Sequence, residues 1–72
     1  MKNIDYKELD RKAILDYLAD KEEVEVEKLM EESGANRLRV YPLLFELTQE
    51  GLIRITHNTE LGAPERVELC KG

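Results

Sequence analysis

At Gly51 the spacing of apolar residues changes from that of a helix to that of a strand. Before it, Val40, Leu43, Leu44 and Leu47 recur at intervals of three and four, which puts them on one helical face. After it, Leu52-Ile53-Arg54-Ile55-Thr56-His57 alternates with a period of two, and so does Arg66-Val67-Glu68-Leu69-Cys70. Glycine ends a helix readily because it accepts positive φ without a Cβ clash. A helix over Arg37–Glu50 that feeds straight into a hairpin points to an α+β domain. Pairing Ile53 with Leu69 and Ile55 with Val67 stacks apolar side chains on one face and sets Arg54 against Glu68 on the other. The loop between the strands, Asn58 to Glu65, holds Gly62 and Pro64 and is too long for a two-residue turn. Pro42 lies inside the helix, past the first turn where proline is tolerated, so a kinked or loosened second turn is expected.

Upstream, Asp5 and Glu8 have the spacing of a capping box. Tyr6, Leu9, Ala13, Ile14, Tyr17 and Leu18 then follow at helical intervals. The spacing predicts a first helix from Tyr6 to Ala19, with Asp20–Glu23 as a solvated connection. Val24-Glu25-Val26 alternates as a very short strand does. Val26, Leu29 and Met30 share a helical face, so a short second helix is expected from Val26 to Ser33, stopped at Gly34. Gly34-Ala35-Asn36 reads as a tight turn, with Asn36 capping the third helix.

A short helix, a glycine-containing turn and a longer helix make a helix-turn-helix. With one helix before it and a long-looped hairpin after it, the expected fold is a small winged helix: three helices, a short first strand and a two-stranded wing in one domain. A chain of 72 residues buries a limited share of its surface, so its stability is expected to be modest. The single cysteine, Cys70, cannot staple the fold and is read as a small residue without a special role. No apolar run is long enough to span a bilayer, and residues Met1–Asp5 lead directly into a charged amphipathic stretch rather than a signal-peptide core. The expected compartment is the cytoplasm, with no membrane partner.

The run Val40-Tyr41-Pro42-Leu43-Leu44-Phe45-Glu46-Leu47-Thr48-Gln49-Glu50-Gly51-Leu52-Ile53 resembles the recognition helix and strand entry of PadR-type transcriptional regulators, with the Tyr-Pro pair as its sharpest element. Gly62-Ala63-Pro64-Glu65-Arg66-Val67 is similar to their wing. The resemblance covers about half of the chain and implies a winged helix whose third helix enters the major groove. Two departures stand beside it: the family's C-terminal dimerising helices have no counterpart in these 72 residues, and the wing carries only Arg66 and Lys71 after its loop, beside Glu60, Glu65 and Glu68.

Two function classes follow. In a transcriptional regulator binding double-stranded DNA, Asn36, Arg37, Arg39 and Tyr41 at the start of the third helix are the candidates for base and phosphate contact, with Arg54, His57, Arg66 and Lys71 reaching backbone from the wing. A homodimer would supply two readers for two half-sites. In the rival class, a protein-contact or self-association module, the candidates are Leu38, Pro42 and Phe45, which project opposite the core stripe of the third helix. Phe45 has two placements open to it: part of an exposed patch, or covered by the wing or the first helix. Charge bears on this choice. The net charge is −5, with 6 basic and 11 acidic residues over Met1–Ala35 against 5 and 5 over Asn36–Gly72. DNA binders ordinarily carry a basic face. An enzyme is not expected: His57 is the only histidine and has no evident nucleophile or orienting partner. The paired glutamates Glu22-Glu23 and Glu31-Glu32 lack calcium-loop spacing and His or Cys partners, so no metal or other cofactor is expected.

Overall fold

A computed structural model describes residues 5–70. The elements follow in the order α1 (Tyr6–Leu18), β1 (Glu23–Glu25), α2 (Val26–Glu32), α3 (Arg37–Gln49), β2 (Ile53–Asn58) and β3 (Pro64–Leu69). The strands form one antiparallel sheet with the order β1-β3-β2. This is the small α+β winged helix expected from the sequence. Among the described residues, no helix is long and apolar enough to cross a membrane.

Four of the helix boundaries have a local cause in the sequence. The Asp5 carboxylate accepts the Glu8 N–H at 3.2 Å and opens α1. Asn36 opens α3 by accepting the Leu38 N–H at 2.8 Å. Gly34 and Gly51 follow α2 and α3 with φ of +84° and +78°, a backbone state that side-chain-bearing residues rarely adopt. The hairpin register matches the expected one, with Ile53 opposite Leu69, Arg54 opposite Glu68 and Ile55 opposite Val67.

One core joins all the layers. Ile14 and Leu18 of α1, Val26 and Leu29 of α2, Val40, Leu43, Leu44 and Leu47 of α3, and Ile53 and Val67 of the sheet are sealed from solvent. At about 25 cal/mol per Å² of apolar surface, this burial is the main favourable contribution to folding.

The structure refines the sequence reading at four places. First, α3 runs through Pro42 as a single helix. Pro42 has no N–H for the Leu38 carbonyl, so that one helical hydrogen bond is lost on the solvent side of α3. Second, Tyr6 and Leu9 are more than half exposed rather than part of the inner stripe. The inner face of α1 runs through Asp10, Ile14 and Leu18, with Asp10 buried. Third, β3 starts at Pro64, two residues earlier than expected. The wing therefore closes in a compact turn: Thr59 N–H donates to Ala63 O at 2.8 Å, and Gly62 N–H donates to Thr59 O at 2.9 Å. Register shifts between Ile55 and His57 and between His57 and Asn58 accommodate the twist at that end. Fourth, the expected short first strand is present, one residue earlier, at Glu23–Glu25. It pairs with β3, with Val24 opposite Val67, and makes a three-stranded sheet.

Candidate interaction face

The inner side of α3 is closed by the core, so whatever the helix offers lies on its outer side. Leu38 is 88% exposed and Phe45 50%, and Pro42 between them is exposed as well. Intervals of four and three put these residues on one strip. Phe45 is partly covered, with about half of its surface open to solvent. At the wing tip, Leu61 is 98% exposed on the turn that Thr59 organises, where the Thr59 hydroxyl also accepts the Ala63 N–H at 3.1 Å.

The cations expected to meet DNA are distributed otherwise. The Asn36 side chain caps its own helix. Arg39 donates to the buried Asp10 carboxylate at 2.9 Å, and its guanidinium lies 5.7 Å from the centre of the Tyr6 ring. Arg54 hydrogen-bonds Glu68 through two of its nitrogens. Arg66 meets Glu23 at 3.2 Å and Glu25 at 3.5 Å, and His57 Nδ1 lies 3.4 Å from Glu23. Arg37 is exposed and forms no ion pair among the described residues. Lys71 lies outside the described residues. The expected basic patch is therefore a set of internal ion pairs, with Arg37 apart.

These pairs organise the outside of the molecule. Glu23 of β1 reaches across β3 to touch residues of both other strands. A hydrogen bond from Thr56, then one from Arg66 and the charge of His57, hold its carboxyl below the ordinary value of 4.5. On the other side, Lys7 and Arg11 of α1 clamp Glu46 and Glu50 of α3. The Arg11 hydrogen bond lowers the Glu50 pKa and raises that of Arg11.

Between α3 and the wing lies a cavity of about 220 Å³, lined by Glu25, Val26, Glu27, Tyr41, Thr59, Pro64 and Glu65. Val26 and Pro64 are buried and form its floor, and the Tyr41 ring contributes a wall. Glu27 and Glu65 form no ion pair among the described residues. Two larger hollows beside the sheet are lined largely by charges already paired with one another, Arg54 with Glu68 and Arg66 with Glu23.

Leu61 and Glu27 were not singled out in the sequence reading, and Glu65 was noted only as an acidic residue of the wing. The acidic excess of the first half pointed towards Glu27. Only the wing geometry shows Leu61 bare and sets Glu65 beside α2 and α3. Comparison with family models, with curated proteins and with solved structures finds no match to this chain.

Proposed function

We propose that this winged helix is a protein-docking module whose recognition surface is the outer face of α3 together with the wing. One observation carries this reading: the α3–wing surface leaves Leu38 and Leu61 almost bare and Phe45 half-exposed, while Arg39, Arg54 and Arg66 are paired with carboxylates of the same chain. Duplex DNA binding draws its affinity from cations that neutralise phosphates and release counterions. Cations already neutralised internally contribute little to that term. Exposed apolar side chains on one strip contribute instead to contacts that exclude water.

A second reading, a DNA-binding regulator domain, rests on the exposed Arg37 and Tyr41 near the start of α3 and on the resemblance to PadR-type regulators. One titration separates the two. A labelled mixed-sequence duplex is added at low salt and followed by fluorescence anisotropy. The docking reading expects no saturable binding. Binding that weakens steeply as salt rises, and that is lost in Arg37→Ala, would overturn it.

A further inference from the structure

We infer that the α3–wing surface receives a basic, amphipathic protein segment, whose lysine or arginine side chain enters the cavity beside Tyr41 while its apolar side chains cover Leu38 and Phe45. This inference rests on the docking reading above and names the partner's chemistry. Three features select that occupant. The cavity, at about 220 Å³, falls below the roughly 300–1,000 Å³ of small-molecule pockets, which suits one side chain rather than a whole ligand. Its floor of Val26 and Pro64 and its Tyr41 wall match an aliphatic stem, and a tyrosine ring attracts a cation lying over its face. Its rim carries Glu25, Glu27 and Glu65, of which, among the described residues, only Glu25 is ion-paired, with Arg66.

The rim also argues against a second copy as the occupant. Self-association through this face would bring the Glu25, Glu27 and Glu65 rim of one copy near that of another. A cationic segment instead gains from steering towards the rim and from neutralising it.

The test uses a synthetic capped peptide with leucine and lysine in helical alternation, alongside a leucine–glutamate counterpart. Binding is mapped by amide NMR shifts of the isotope-labelled protein. The lysine peptide is expected to shift Val26, Tyr41, Thr59 and Glu65 together with Leu38 and Phe45, and the glutamate peptide to shift none of them. Glu27→Gln with Glu65→Gln alters two exposed side chains, leaves the melting temperature in place and weakens lysine-peptide binding by roughly tenfold. Phe45→Ser weakens it independently of salt. No binding, or shifts confined to the acidic surfaces of α1 and α2, would overturn the inference while leaving the docking reading intact. Equal binding of both peptides on α3 would remove the cation subsite alone. A concentration-dependent dimer lost in Phe45→Ser, seen by sedimentation without peptide, would replace the occupant with a second copy. Salt-sensitive duplex binding through Arg37 would remove the docking reading, and this inference with it.

Discussion

The two sides of α3 differ in what their apolar residues meet. Val40, Leu43, Leu44 and Leu47 are sealed against α1, α2 and the sheet, while Leu38, Pro42 and Phe45 on the same helix face water. Hydrophobicity alone does not tell these sets apart, since both contain leucine. The difference lies in what stands opposite. The inner side meets a complete ring of apolar partners, and the outer side leaves Leu38 almost bare and Phe45 half-exposed. Stability therefore belongs to one side of α3, and recognition is assigned to the other.

The largest effect expected from breaking this contrast is at Leu44. Leu44→Ala opens a cavity in a closed core and should cost about 2–5 kcal/mol in urea denaturation, enough to leave a small domain largely unfolded. Phe45→Ala, one residue further along, should stay within about 0.5 kcal/mol. Similar losses at both positions would mean that Phe45 is covered in solution.

Next in size is Pro42→Ala. It restores an N–H for the Leu38 carbonyl at an exposed helical position, so a gain of about 1–2 kcal/mol is expected: the helix-propensity advantage, reduced by the greater freedom of the unfolded chain. Destabilisation would show that the proline shapes the outer face rather than merely occupying it.

Asp10→Ala removes the partner that holds Arg39 on the α1 side. Arg39 is partly exposed, so the loss should be about 1–2 kcal/mol, well below that of a deeply buried pair. It should also leave Arg39 free, which makes this variant a sharper test for DNA binding than the parent chain.

The smallest effect concerns the outer face of the sheet. The Glu23 carboxyl is held below its ordinary 4.5, chiefly by Thr56 and then by Arg66 and His57. A lowered carboxylate contributes stability above its unfolded value and loses it as pH falls through the folded one. Thermal melts of the parent and of Glu23→Gln should therefore differ at neutral pH and converge in acid below about pH 4.5. A gap that persists in acid would show that packing, not charge, is at work.

Much of the architecture was legible because it rests on short-range periodicity and local chemistry. The change of spacing at Gly51, the stop at Gly34 and the alternation of Ile53, Ile55, Val67 and Leu69 each depend on residues close in the chain, and they led to the element order and the hairpin register. The candidate face was legible only in part. Leu38, Pro42 and Phe45 were placed together by helical projection, but whether anything covers them depends on elements elsewhere in the chain. Arg54 was placed opposite its partner Glu68, but Arg39 and Arg66 were placed on the correct elements without theirs, since Asp10 and Arg39 stand 29 positions apart, and Glu23 and Arg66 stand 43 apart.

Gly51 and the patterns on either side of it were sufficient to establish the helix, the hairpin and the side of each that faces inward, because backbone sterics and water exclusion act through neighbours in sequence. Folding decided which charges meet. Only when α1 lies against α3, and β1 against β3, do carboxylates reach Arg39 and Arg66. Electrostatic attraction depends on distance in space, and those distances are set by packing. An outer face that reads as basic and apolar along the chain thus becomes, once folded, apolar beside an acidic rim.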